Sequence, residues 1–232
     1  MSVTAIVAAA GNGSRMGTGE KKQYIEISGK PVLTYSLEVL LKMEEIESLV
    51  LVIPERDRMR VENDLLKDIC GKEKILIVNG GSTRQESVAR GIFAAPDSTE
   101  IIVVQDGARP FVTETMISEC IGKAKIYGAC SAAVPVKDTI KHSSDGLFVD
   151  STPQRECLFS IQTPQAFDFE LIKKAHERAE ADGFEGTDDA MLVEALGEKV
   201  VLSKGSYENI KLTSPEDIHF AEILAGRKRE ME

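Results

Sequence analysis

The chain has 232 residues, 42% of them hydrophobic, enough for one substantial core and unlike the composition of a disordered or fibrous protein. Its 28 Lys and Arg stand against 38 Asp and Glu, a formal net charge of -10, so any basic patch is local and a polyanion such as DNA is repelled overall. Four dispersed cysteines without CxxC spacing and only three histidines argue against a structural zinc site.

Val3 to Ala9 is a continuous apolar run of strand length, followed by Ala10-Gly11-Asn12-Gly13-Ser14-Arg15-Met16 and then Lys21-Lys22-Gln23-Tyr24. Glycines directly after a strand let successive backbone N–H groups turn toward one anion, and Arg15 and Lys22 add fixed positive charge, so the segment reads as a triphosphate cradle. A tight β-α turn with solvated basic side chains fits the same residues. A dinucleotide fingerprint would need a third glycine at position 16, which is Met16, and a Walker loop would need a glycine five positions after Gly11 or Gly13. The chain enters its first strand without a basic, then apolar, leader, and no apolar run reaches about 18 residues, so the expectation is a cytoplasmic protein with reduced thiols.

Further strand-like runs at 48–53, 74–78, 100–105 and 130–135 alternate with helical patterns. That rhythm predicts an α/β fold, with a mostly parallel sheet covered on both faces, in a single domain over 1–232. After Pro31, Leu33, Leu37, Leu40 and Leu41 fall on one helical stripe. Ser82 and Gln85 suggest a capping box opening a helix from Thr83, as do Ser214 and Asp217 for the last helix. The preceding Gly80-Gly81, with Ser82 and Ser87, offers a flat polar surface for a planar base.

Asp106 closes the run Ile101-Ile102-Val103-Val104. Ligands of open α/β sheets bind beyond the carboxyl ends of strands, so Asp106 is placed for Mg²⁺, which takes one or two carboxylates beside substrate phosphates. A turn or cap role within Asp106-Gly107-Ala108-Arg109-Pro110 is the competing account. From Val136 to Arg155 the rhythm breaks into two extended runs around Asp145-Gly146, a favoured hairpin turn, and a protruding arm is expected. Since a lone ribbon is marginal in water, an arm carrying Ile140, Leu147, Phe148 and Val149 is better explained by packing on a second subunit than by folding back on its own domain. Thr187-Asp188-Asp189 suits either a helix start or a functional site. Asn209 to Thr213 reads as a strand presenting Lys211.

Taken in order, Gly11-x-Gly13-Ser14-Arg15-Met16, Lys22-Gln23-Tyr24, Gly80-Gly81-x-x-Arg84-x-x-Ser87-Val88, Asp106-Gly107-Ala108-Arg109-Pro110, Val136-Lys137-Asp138-Thr139, Thr163-Pro164-Gln165, Thr187-Asp188 and Asn209-Ile210-Lys211 cover nearly the whole chain. This series resembles the 2-C-methyl-D-erythritol 4-phosphate cytidylyltransferases. The resemblance implies a Rossmann-like nucleotidyltransferase fold with a protruding β-arm, at about 136–157, that interlocks a homodimer. It also implies a Mg²⁺-dependent reaction of CTP with 2-C-methyl-D-erythritol 4-phosphate, giving 4-diphosphocytidyl-2-C-methyl-D-erythritol and pyrophosphate in non-mevalonate isoprenoid biosynthesis. Arg15, Lys22 and Lys211 are the implied catalytic cations. Ala10, Gly11, Gly13, Gly81, Ser82, Ser87 and Asp106 are the implied nucleotide contacts, with Asp106 also on the metal side. The implied acceptor site is Thr139, Arg155, Thr187 and Lys211, with Thr139 and Arg155 reaching across from the partner. Two positions depart from the family pattern: Lys21 stands where proline is usual and could share the role of Lys22, and Ser82 stands where some relatives have Asp. The alternatives are a cytidylyltransferase for another polyol phosphate, such as ribitol 5-phosphate, and a non-catalytic nucleotide-binding module.

Overall fold

The computed structural model describes residues 2–11 and 21–231, of which 228–231 by their backbone alone. From the first strand, β1 (Ser2–Ala8), the chain passes through a two-stranded ribbon, β2 (Glu26–Ile27) and β3 (Lys30–Pro31), into helix α1 (Val32–Lys42) and strand β4 (Ile46–Ile53). A short turn α2 (Arg58–Arg60) leads to β5 (Ile75–Asn79), α3 (Arg84–Phe93), β6 (Thr99–Asp106), α4 (Glu114–Tyr127) and β7 (Ala129–Pro135). Strand β8 (Phe159–Asp168), helices α5 (Phe169–Asp182) and α6 (Asp189–Ala195), strand β9 (Val201–Lys204) and helix α7 (Pro215–Met231) complete it.

Seven strands form one sheet in the order β5-β4-β1-β6-β8-β7-β9. β1 pairs in parallel with β4 on one side and β6 on the other, Ala5 lying opposite both Leu49 and Val103. The α/β class and the mostly parallel sheet are as expected, and the five apolar runs from Val3 to Pro135 are all strands, with ends shifted by no more than two residues. These strands were legible because both of their faces are buried: Val3, Ala5 and Val7 join Leu33, Leu37, Ile117 and Ile121 of α1 and α4. Ile6, by the two-residue alternation of a strand, joins Val88, Ile92 and Ile172 of α3 and α5 on the other face.

Three elements depart from the sequence reading. β8 is a ten-residue strand between β6 and β7, antiparallel to both. Pro164 and the polar Gln162, Thr163 and Gln165 obscure it, since a proline argues against a central strand. Asn209 to Thr213 forms no ladder; it is an extended segment pinned by the Leu212 N–H donating to the Ala108 carbonyl at 2.9 Å and by the fully buried Leu212 side chain. Between β7 and β8, in place of two continuous runs, there is one isolated antiparallel bridge, His142 to Ser151. The Asp145-Gly146 turn is present, Asp145 accepting from the N–H groups of Leu147 (2.8 Å) and Phe148 (2.9 Å).

Gly91 lies on the buried side of α3, where a Cβ would sit 2.7 Å from Ile6 Cγ2 and 3.1 Å from Val52 Cγ2. The helix therefore rests on β1 and β4 at a distance that only glycine permits. Gly91→Val should lower the unfolding free energy by about 1–3 kcal/mol through overpacking, read as a lower urea midpoint; an unchanged midpoint would contradict this close approach.

Candidate active site

β1 and β6 are neighbours, but the chain leaves β1 toward β4 and β5 and returns on the far side, so a crevice opens beyond their carboxyl ends. A cavity of about 450 Å³ occupies it. Its walls come from Ala8 to Gly11 after β1, Lys22 and Gln23, Gly81 to Arg84 with Ser87 after β5, Asp106 and Ala108 at the end of β6, and Lys211 and Thr213. Thus Ala10, Gly11, Lys22, Gly81, Ser82, Ser87, Asp106 and Lys211, far apart in sequence, share one cavity.

The glycine loops are shaped by contacts that sequence reading did not assign. A Cβ on Gly80 would fall 2.2 Å from the Ala10 Cβ, so the loops after β1 and β5 touch only because residue 80 has no side chain. The Ser87 hydroxyl accepts from the Gly81 N–H at 3.0 Å and donates to the Thr83 carbonyl at 2.8 Å, and so holds the second loop. The cap of α3 lies one residue later than expected. Thr83 accepts from the Glu86 N–H, while the Glu86 carboxylate, and not Gln85, accepts from the Ser82 N–H (2.6 Å) and hydroxyl (2.7 Å). Gln85 serves a distant segment instead, donating to the Phe184 carbonyl at 3.0 Å. On the first loop, the buried Gln23 amide donates to the carbonyls of Ala9 (2.8 Å) and Gly11 (3.2 Å) and holds the chain as it leaves β1. Lys21 pairs with Asp57, which also accepts from the Tyr24 hydroxyl at 3.1 Å, whereas Lys22 faces the cavity.

Asp106 is the electrostatic centre. Its Oδ2 lies 2.6 Å from Lys211 Nζ, its Oδ1 accepts from Arg84 Nε at 3.1 Å, and Arg109 Nε stands 3.7 Å from Oδ2. Its backbone N–H donates to the Thr163 hydroxyl at 3.0 Å. Burial alone would raise its carboxyl, but Arg84, Lys211 and Arg109 outweigh that and hold it well below the usual carboxylate range. Arg84 also forms an ion pair with the buried Asp189, Nη1 to Oδ2 at 2.8 Å, and these two carboxylates override its own burial and raise its pKa further. Arg84 stood in the quoted motifs without an assigned role. A cation in the first turn of a helix opposes the macrodipole, and that was a readable sign that it has carboxylate partners.

A second cavity, of about 380 Å³, shares Arg84, Asp106 and Lys211 with the first and is walled by Thr187, Asp188 and Gln165. Asp188, rather than Thr187, caps α6, accepting from the Met191 N–H at 2.9 Å. Thr139 and Arg155 lie on the exposed segment between β7 and β8 and line neither cavity; Arg155 donates to the Lys137 carbonyl at 3.2 Å. Arg15 and Gly13 lie outside the described residues. Among the described residues there is no cluster of three or more His, Cys, Asp or Glu that could hold a metal, and no helix is long and apolar enough to cross a membrane.

The family model for IspD, 2-C-methyl-D-erythritol 4-phosphate cytidylyltransferase, matches residues 3–227. The 2-C-methyl-D-erythritol 4-phosphate cytidylyltransferase of Desulforamulus reducens is 44% identical over 226 residues, 97% of each chain. That of Geobacillus kaustophilus is 46% identical over 231 residues, covering 99% of this chain and 100% of its own. Among solved structures, the 4-diphosphocytidyl-2C-methyl-D-erythritol synthase of Anaerococcus prevotii superposes with a TM-score of 0.87 at 36% identity, covering 97% of this chain and 96% of its own. The chain belongs to the 2-C-methyl-D-erythritol 4-phosphate cytidylyltransferase family. It is a nucleotidyltransferase of Rossmann-like fold whose reaction joins CTP and 2-C-methyl-D-erythritol 4-phosphate in isoprenoid biosynthesis, and neither ribitol 5-phosphate as acceptor nor a non-catalytic module is favoured.

The charge cluster has a consequence for acid stability. A carboxyl whose folded pKa lies below its unfolded value stabilises the fold fully above the unfolded pKa, and that contribution is lost as pH falls toward the folded one. For Asp106 the loss begins near its ordinary value of 3.8 and continues downward, and Asp189 is shifted in the same direction. Denaturation of the wild type between about pH 4 and pH 2 should show stability falling steeply with acid, and Asp106→Asn should flatten that slope because one proton uptake is gone. Equal slopes would contradict the depressed Asp106 pKa.

Proposed function

We propose that the enzyme works by charge neutralisation and alignment, with Arg15, Lys22 and Lys211 as the catalytic cations around the CTP phosphates. The observation that carries this reading is the convergence of Lys22 and Lys211 on one cavity between two glycine loops, with Asp106 at its floor. The acceptor's phosphate monoester has a second pKa of about 6, so it is largely dianionic and nucleophilic at neutral pH. Its oxygen attacks the α-phosphorus in line, the bond to the bridging oxygen breaks, and pyrophosphate leaves with that electron pair. No covalent enzyme intermediate and no protein base is needed. Lys22 and Lys211 offset charge that builds on the phosphate oxygens, and Asp106 keeps Lys211 in place.

The donor chemistry fits Mg²⁺. Asp106 is the only carboxylate among the described residues walling the first cavity, and this ion needs one or two carboxylates when phosphates and water complete its octahedron. Held by Asp106 with the CTP phosphates, Mg²⁺ would neutralise the departing pyrophosphate. The Ala10, Gly11 and Gly81 backbones, with Gly13, Ser82 and Ser87, form the cytosine side. Thr187 in the second cavity belongs to the acceptor side, together with Lys211 and with Thr139 and Arg155 from a partner's arm. The arm at about 136–157 exposes Leu147, Phe148 and Val149 at 77%, 69% and 59%, an apolar surface better suited to a second copy in a homodimer than to water. A cytoplasmic location, where thiols stay reduced, suits the four free cysteines.

Lys22→Ala should lower turnover by about 10² or more with folding intact, while Lys21→Ala, whose charge is already paired with Asp57, should change it little. Steady-state pyrophosphate release compares them, and the reverse ranking would overturn the assignment of the catalytic lysine. For the arm, Leu147→Asp combined with Phe148→Asp should give a monomer by light scattering that retains its circular dichroism but loses turnover. A wild-type enzyme that is monomeric and fully active would remove the shared-site reading.

A further inference from the structure

From the cavity, a chain of polar side chains leads to α5, which packs on the same face of the sheet as α3. His176 sits on the apolar stripe of α5 with Ile172, Ala175 and Ala179, and it is 3% exposed. Its Nε2 is 3.1 Å from Asp189 Oδ1, while its buried Nδ1 has no partner among the described residues. The ring proton therefore belongs on Nε2, the nitrogen that has an acceptor, and His176 donates to Asp189. Asp189, 1% exposed, meets Arg84 Nη1 through its other oxygen at 2.8 Å, Arg84 Nε reaches Asp106 at 3.1 Å, and Asp106 meets Lys211 at 2.6 Å. Side chains from α5, α6, α3 and β6 thus pass one constraint to the lysine in the cavity.

We propose that His176 is a positioning residue for the cytidylyl transfer, holding Asp189 so that the Arg84 guanidinium stays divided between Asp189 and Asp106 and keeps Asp106 and Lys211 in register. This inference rests on the reading of Asp106 and Lys211 as site residues. The physical reason lies in the burial of Asp189. A carboxylate oxygen that loses its donor there cannot turn to water, so it draws harder on the remaining one, Arg84. That guanidinium is the same group that fixes Asp106 Oδ1. A pull toward Asp189 loosens the carboxylate to which Lys211 is bound, and misplacement by about 1 Å can cost up to about 10² in rate.

His176→Phe keeps a planar ring in the core but removes the donor, and His176→Gln places an amide N–H where Nε2 stands. Measured with CTP and 2-C-methyl-D-erythritol 4-phosphate, and corrected for the fraction folded by circular dichroism, His176→Phe should lower kcat about tenfold or more, and His176→Gln should restore it to within about threefold of wild type. A purely structural histidine predicts the opposite order, since Phe is the better core residue. In an Asp189→Asn background, His176→Phe should cost nothing further, because the shared element is already broken. Wild-type kcat in His176→Phe, equal losses in Phe and Gln, or additive losses with Asp189→Asn would each overturn the proposal. Should His176→Phe fail to fold, His176→Asn, whose amide stands at the Nδ1 position, takes its place: it should be about tenfold less active than His176→Gln, and equal activities would overturn the proposal. Asp106→Asn and Lys211→Ala in the same assay separate the two levels. If both retain turnover, the site reading falls and the positioning role with it; if both are inactive while His176→Phe is active, the positioning role alone falls.

Discussion

The arrangement of this site depends on one buried carboxylate. Asp106 ends a strand that is apolar on both faces, where an isolated charge would be too costly to bury, and its burial is compensated by cations drawn from three separate places: α3, the turn after β6 and the segment before α7. Those cations would repel one another without it. The fold therefore assembles positive charge in the crevice before any substrate arrives, and the cost of bringing like charges together is met during folding. Electrostatic catalysis requires this preorganisation, since side chains already in place need not be gathered as charge develops.

The same constraint explains why the segment carrying Lys211 is rigid without being a strand. Arg109 donates to the Asn209 carbonyl at 2.7 Å, the fully buried Asn209 amide donates to the Thr163 carbonyl at 2.8 Å, and Leu212 hangs from Ala108. Each partner belongs to the neighbourhood of β6 or β8. Thr163 in turn accepts from the Asp106 backbone, so the lysine and the carboxylate it meets are fixed by a common frame. An extended chain with an inward lysine resembles a strand in sequence. What differs is that its backbone partners are turns and side chains rather than a neighbouring ladder, and no local pattern encodes that.

Legibility in the sequence follows the same division. Core strands were readable because parallel strands buried on both faces become unbroken apolar runs, and Asp106 and Gly81 were readable because they stand at the ends of such runs. β8 was not, because its interior positions are filled by Gln162, Thr163 and Gln165, which serve the site and its supports rather than the core: Gln162 holds Ser206 at 2.8 Å, and Gln165 holds Asp188 at 2.7 Å. Gln23 and Arg84 lacked a role in their motifs, Asp189 was left between a helix start and a functional site, and His176 had no role, for a related reason. A buried polar network is defined by partners tens of residues apart, and each member alone looks like an ordinary polar residue of a turn or a helix.

Adjacent lysines show how far local chemistry can decide a role once the fold is given. Lys21 and Lys22 are consecutive, equally charged and equally placed relative to the glycine loop, so composition cannot rank them. The turn that follows directs them to opposite sides: Lys21 toward Asp57 after β4, and Lys22 into the cavity. Asp57 also binds the Tyr24 hydroxyl, whose pKa burial and this carboxylate together raise. Lys21 thereby fastens the far side of the loop through a partly buried ion pair, in which removal of one partner would strand the other's charge. Its neighbour on the same turn lines the cavity instead. An extra lysine beside a cavity-lining one thus need not share its role. Here its charge is directed to an anchoring contact, and the division of labour is set by which side of the turn presents a carboxylate.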